Sequence, residues 1–268
     1  MSRAFELSKH QRELFHSDGF LIVPNLFSSD EVRAIQHITE LVLCDDPARI
    51  DRHDADGLTT KLSLRNSVEE DVYGATVRCE RVARTAEALL EAEVYHYHHK
   101  VMIKDPRVGG AWEWHQDYGY WYENGCLRPD MLSCMIAITA ASSANGCVDV
   151  VPGSHKLGRL EHVEVNDQVV ADPVRVDIAV KRYGSVACEL DAGDGVFFHC
   201  NLLHRSLSNQ SSEPRLSLIN CYNTRENDPF LEHHHPQYSP LSIVDDSEVL
   251  RAAGRQLEGL RSEDFNDG

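Results

Sequence analysis

The chain has no Cys-x-x-Cys pair, no long apolar run, no low-complexity tract and no internal repeat. Eight cysteines stand singly at positions 44, 79, 126, 134, 147, 188, 200 and 221, several within apolar runs. They read as buried free thiols, which excludes a disulfide framework. No segment approaches the ~20 apolar residues of a membrane-crossing helix. The first residues, Met1-Ser2-Arg3-Ala4-Phe5-Glu6, lack the apolar core of a secretion signal, so a reducing cytoplasm is the expected location. Basic residues are few, with 26 Lys and Arg against 43 Asp and Glu and a net charge of −17. Such a surface repels phosphate backbones, and no basic stripe offsets it, so neither nucleic acid nor a membrane is an expected partner. With no linker in its 268 residues, the chain reads as a single domain over 1–268.

The hydrophobic pattern divides that length. Ser8 with Gln11 and Ser28 with Glu31 form capping-box patterns, each opening a helix. Val32, Ile35, Ile38, Leu41 and Val42 then recur at helical spacing. A short apolar strand over 20–23 lies between the two helices. Residues 45–57 are polar and read as a loop, and 80–90 as another helix. From position 93 the texture becomes strand and turn, with candidate strands over 131–140, 146–151, 185–190, 195–200 and 216–222. A last helix follows Ser247. The expected class is mainly β with flanking helices: N-terminal helices over 1–92 packed on a sandwich or jelly-roll core over 93–225, with a C-terminal extension over 226–268.

The chemistry concentrates in Trp112-Glu113-Trp114-His115-Gln116-Asp117-Tyr118, answered later by His204 and Arg215. On a strand, residues two apart point the same way, so His115 and Asp117 co-face. With His204 they make the two-histidine, one-carboxylate set that holds iron on one face in non-haem Fe(II) oxygenases. His16-Ser17-Asp18 repeats the tripeptide, but at a helix end, where side chains two apart diverge by about 200°. It reads as surface. Arg215 follows His204 by eleven residues and supplies a bidentate fork for a carboxylate, as an iron enzyme using a 2-oxo acid requires. Two alternatives stand beside this reading. A zinc hydrolase takes the same ligands but has no use for the carboxylate clamp. A jelly-roll binding module needs neither.

Trp114-His115-Gln116-Asp117, the run from Asn145-Gly146 to Pro152-Gly153-Ser154-His155, and Gly193-Asp194 through His204-x-Ser206 to Pro214-Arg215-x-Ser217 resemble successive signatures of the phytanoyl-CoA dioxygenase family. Trp114 to Trp121 also resembles the matching stretch of that family's ectoine hydroxylases. The resemblance implies a double-stranded β-helix (jelly-roll) core and an Fe(II)/2-oxoglutarate-dependent hydroxylase of a small polar metabolite or secondary-metabolite intermediate, consuming dioxygen. Desaturation or ring closure is the same chemistry with another outcome. It makes His115, Asp117 and His204 the iron ligands and Arg215 the partner of the distal 2-oxoglutarate carboxylate, with Ser206 and Ser133 in support. Asp117 further implies oxygenation, because related iron halogenases carry a small residue there.

Strand alternation over 95–104 places Tyr95, Tyr97, His99 and Val101 on one face. His96, His98, Lys100, Met102 and Lys104 fall on the other, toward the barrel interior. Met102 is thus expected beside 2-oxoglutarate, and His98 and Lys100 beside substrate. Adjacent His98 and His99 point apart and do not share an ion. Trp112, Trp114 and Trp121 fall within ten residues and read first as core packing, while the resemblance places Trp121 against substrate. Asn145 to Lys156 reads as a structural turn in which His155 holds a loop. His233-His234-His235 reads as exposed loop, open to transient metal capture. Oligomeric state is left open.

Overall fold

A computed structural model describes residues 7–43, 46–165 and 168–264. Its elements in order are α1 (Lys9–Asp18), β1 (Phe20–Val23), α2 (Ser29–Val42), β2 (Arg49–His53), β3 (Thr59–Arg65), α3 (Val72–Arg78), α4 (Glu80–Leu90), β4 (Val94–Lys104) and β5 (Trp112–His115). There follow α5 (Asp117–Glu123), β6 (Met131–Ala137), β7 (Val148–Val150), β8 (His162–Val165), β9 (Gln168–Ala171) and α6 (Pro173–Tyr183). The last are β10 (Val186–Cys188), β11 (Gly195–His199), β12 (His204–Ser206), β13 (Arg215–Thr224) and α7 (Glu248–Asp264).

Both expected capping boxes form. Ser8 and Ser28 each accept the backbone N–H three residues on, while Gln11 and Glu31 reach back to the cap. Gly19 ends α1 at φ +83°, a conformation open to glycine without strain, and turns the chain directly into β1.

A seven-stranded sheet runs β1-β11-β6-β13-β4-β3-β2, and a four-stranded sheet runs β10-β7-β12-β5. Period-two alternation explains how they pack. On β6, Leu132, Cys134 and Ile136 join the core under α1–α4 and α7, whereas Met131 and Met135 join the core between the sheets. The second core also takes Val148, Val150 and Cys188 from the smaller sheet, so the two sheets lie face to face as a jelly roll with helices covering one outer surface. A β8–β9 hairpin and α6 lie beside the smaller sheet over a third cluster that includes Leu160, Val176 and Leu203.

Several expectations need correction. Residues 49–53 are strand β2, paired with β3, and not loop; positions 44 and 45 lie outside the described residues. The segment 1–92 supplies three strands of the large sheet as well as helices. On β4, the register with β13 passes from His98 opposite Cys221 to His96 opposite Tyr222, leaving Tyr97 as a bulge. The extra residue resets the alternation. Tyr95 and Tyr97 therefore join the core between the sheets, and His96 turns to the other side, where its Nε2 lies 3.0 Å from His99 Nδ1. His98, Lys100 and Met102 do face the interior. The seven cysteines among the described residues are free and buried. Among the described residues, no helix is long and apolar enough to cross a membrane.

Candidate active site

β5 ends at His115. Gln116 keeps the extended backbone (φ −117°, ψ 133°), and Asp117 is the first residue of α5. The co-facing of His115 and Asp117 thus survives although Asp117 is not on the strand, because one extended residue separates them. His204 opens β12, directly opposite His115 in the antiparallel register, with ring centroids 4.1 Å apart. Nε2 of each histidine lies 3.8 Å from Asp117 Oδ1. One donor atom from each of the three side chains falls within 4.8 Å of the others, and all three residues are buried.

Neighbouring groups fix these donors. His115 Nδ1–H donates to the Glu113 carbonyl at 2.7 Å, and His204 Nδ1–H to the Leu202 carbonyl at 2.9 Å. Each bond sets the tautomer and leaves an Nε2 lone pair facing the cluster. Burial, and for His115 the adjacent His204, lowers both pKa values, so both rings are neutral near pH 7. Ser133 donates to Asp117 Oδ2 at 2.7 Å, leaving Oδ1 toward the histidines. The structure therefore places Ser133 behind the carboxylate. Two neutral imidazoles and one carboxylate, held by second partners, suit a divalent transition metal.

Two cavities meet at this cluster. The inner one encloses about 430 Å³ of empty space, counting the part open to solvent, and runs past Lys100, Met102, Met135 and Ser206 to Arg215. Arg215 is 1% exposed; its Nη1 donates to the Gly146 carbonyl at 2.8 Å, and its Nε has no partner. Burial lowers its pKa to about 10, which leaves it cationic at neutral pH. Among the described residues no carboxylate pairs with it. A buried cation without an anion costs several kcal/mol, and this end of the cavity has the charge and the unused donor to suit a carboxylate. Lys104 lies nearby on β4, with Nζ donating to the carbonyls of Ser206 and Leu207. Burial, then the adjacent Arg215, depresses its pKa strongly.

The outer cavity holds about 1330 Å³, again counting the part open to solvent. Its walls include Arg52, Leu62, His98, Lys100, Tyr120, Trp121, His234 and His235. Trp121 is 3% exposed and meets Tyr97 and His98 edge-on. Lys100 borders both cavities and has no ion-pair partner among the described residues. His155 lies away from both, its Nε2 3.2 Å from the His16 carbonyl oxygen.

Sequence reasoning missed Gln116, which is fully buried within the motif. Its amide donates to the carbonyls of Gly158 and Asn201 and accepts the Leu160 N–H, tying two loops to the ligand turn. Nothing in the sequence marks that role. Gly119 did leave a signal, as a glycine inside a helix. A Cβ there would come within 2.4 Å of His162 Nε2, the atom that accepts the Gln116 N–H.

Comparison with known proteins agrees with this geometry. The sequence profile of the phytanoyl-CoA dioxygenase (PhyH) family matches residues 15–217. An ectoine dioxygenase of Bordetella parapertussis is 32% identical over 237 residues, covering 82% of this chain and 77% of the relative. An L-proline trans-4-hydroxylase of Streptomyces griseoviridis is 29% identical over 86% of this chain and 90% of its own. The crystal structure of EctD from S. alaskensis with 2-oxoglutarate and 5-hydroxyectoine superposes at TM-score 0.74 and 25% identity, covering 89% and 88% of the two chains. The carbocyclase SnoK from nogalamycin biosynthesis shares the fold at TM-score 0.68 and 22% identity, over 89% of this chain and 94% of its own. These relations leave neither the zinc hydrolase nor the inert binding module standing. The chain belongs to the phytanoyl-CoA dioxygenase family and is an iron- and 2-oxoglutarate-dependent dioxygenase.

Proposed function

We propose that this dioxygenase hydroxylates a C–H bond of a small polar or zwitterionic metabolite held in the outer cavity, beside iron bound by His115, Asp117 and His204. When bound, Fe(II) and 2-oxoglutarate activate dioxygen for attack on an unreactive C–H bond, with release of succinate and CO2. The protein holds, orients and excludes. Arg215 takes the distal carboxylate of 2-oxoglutarate, Ser206 supports it, and Met102 packs along its length. Ser133 is a positioning residue that presents one oxygen of Asp117 to the metal. Trp121 and His98 wall the substrate, and Lys100 offers a cation to an anionic substrate group. The single observation that carries the reading is the buried Arg215, without an acid partner among the described residues, at the end of a cavity that starts at the three metal donors.

The curated relatives' substrates, ectoine and L-proline, set the first compounds to try. The test is anaerobic reconstitution with Fe(II) and 2-oxoglutarate, then succinate release over a panel headed by those two. With an accepted substrate, ¹⁸O2 in chloride-containing buffer should give a product carrying one labelled hydroxyl. A chlorinated product would overturn the reading of Asp117, and a desaturated or cyclised one would replace hydroxylation with that outcome.

A further inference from the structure

His233-His234-His235 plays no part in the triad, yet His234 and His235 line the same outer cavity as His115 and Asp117. One ring nitrogen from each falls within 4.8 Å of the others. The ring centroids of 233 and 234 are 3.8 Å apart, and those of 234 and 235 are 4.1 Å apart. On a strand the middle residue of three would point away. The segment is neither strand nor helix, which lets consecutive rings gather on one side.

Two further contacts build the site into the fold. His235 is buried and stacks on His98, with centroids 4.6 Å apart and planes at 22°. Its Nδ1–H donates to Asn66 Oδ1 at 2.7 Å, a contact spanning 169 residues. An imidazole whose Nδ1–H is held by an amide oxygen presents Nε2 as a free, oriented lone pair, the usual outer support of a metal-binding histidine. His233 and His234 are exposed, so an ion reaches them without the fold opening.

We propose that His233, His234 and His235 form a second metal site at the mouth of the outer cavity, binding a borderline divalent ion of the Zn(II), Ni(II) or Cu(II) kind. An all-imidazole donor set selects those ions over Mg(II) or Ca(II), which prefer oxygen. Three protein ligands leave at least one coordination position for water or an anionic group entering the cavity. This site shares no residue with the triad and stands whether or not the substrate class proposed above is right.

Zn(II) alone is the probe. The metal-free full chain carrying His115→Ala and His204→Ala, titrated calorimetrically and analysed for zinc after gel filtration, should bind one ion. Adding His233→Ala and His234→Ala, both exposed positions, should remove that ion and leave thermal unfolding unchanged. Asn66→Ala should raise the dissociation constant about tenfold, since it frees the His235 ring. If the triad-deficient chain does not fold, the same comparison in the otherwise unaltered protein reads two ions falling to one. Absence of the ion, its persistence without His233 and His234, or an affinity indifferent to Asn66→Ala overturns the proposal; the last would mean only adventitious capture by an unstructured run of histidines.

Discussion

The inner and outer cavities share four lining residues, Lys100, Trp112, His115 and Asp117. The inner one is walled largely by paired strands. Arg215 and Ile219 come from β13, Lys100 and Met102 from β4 beside it, and His204 and Ser206 from β12 of the facing sheet. The outer one draws on the β2–β3 hairpin, α5, the β8–β9 hairpin and the segment carrying His234 and His235. A strand paired on both sides fixes its side chains, whereas an edge strand such as β2 or β5, the two-stranded β8–β9 hairpin and an irregular segment change with less disturbance to a core. The cavity suited to iron and cosubstrate therefore sits on more constrained backbone than the outer cavity proposed above for substrate.

That contrast can be broken at its centre first. His204→Ala removes one of three donors and should abolish turnover, with iron retained after desalting, measured by elemental analysis, falling well below one per chain. Unchanged iron content would remove His204 from the ligand set. Next comes the far end of the inner cavity. Losing one partner of a buried charge pair costs about 2–5 kcal/mol, so Arg215→Ala should weaken 2-oxoglutarate about 30- to 5,000-fold. Iron should still bind, and a titration of the iron–2-oxoglutarate absorption band separates the two effects; an unshifted curve sinks the assignment.

The outer cavity should respond differently. Trp121→Ala is expected to lower substrate-coupled succinate release about tenfold or more while 2-oxoglutarate affinity stays within about twofold, the selectivity expected of a wall that touches substrate alone. Equal losses in both would erase the division between the cavities. An insoluble variant would assign Trp121 to core packing with Tyr97, and Tyr120→Phe then becomes the test of the same wall, since it removes only the hydroxyl that donates to the Val169 carbonyl.

The smallest effect lies outside both cavities. Burial lowers His96 and His199 to about 4. Above pH 6.5 each is neutral whether folded or unfolded. As pH falls from 6.5 toward 4, the unfolded chain takes up protons that the folded chain does not, so stability is lost across that window and no further below it. The loss should be on the order of 1–2 kcal/mol per group by pH 5, which discounts the nominal 1.36 kcal/mol per unit for relaxation around a buried group. Thermal unfolding of the metal-free protein should show it, with a shallower pH dependence in His96→Gln than in the parent. Identical slopes would mean that His96 is protonated within the fold.

The features legible in the sequence are local or strictly periodic. Ser8 with Gln11 and Ser28 with Glu31 cap their helices through bonds three residues long, so composition alone marks them. The alternation on β6 and the inward set His98, Lys100 and Met102 follow from period two. His115, Asp117, His204 and Arg215 are visible because their chemistry limits residue type and because each pair, His115 with Asp117 and His204 with Arg215, lies close in the chain. β2 escapes such a reading because polar Arg49-Ile50-Asp51-Arg52-His53 is an edge strand, held by pairing with β3 and not by an apolar face.

Other features exist only where distant segments meet. The bulge at Tyr97 is a mismatch between β4 and β13, so β4 alone cannot announce it, and it decides that His96 leaves the interior. Ser133 of β6 meets Asp117 of α5 only in the folded chain, and Gln116 acquires its two loops in the same way. His235 finds Asn66 across most of the chain. Residue types and spacing settled which atoms were available for chemistry, since donor identity is a property of the side chain. The register between strands and the packing of segments far apart in sequence settled which of those atoms face one another, since those energies belong to pairs and not to residues.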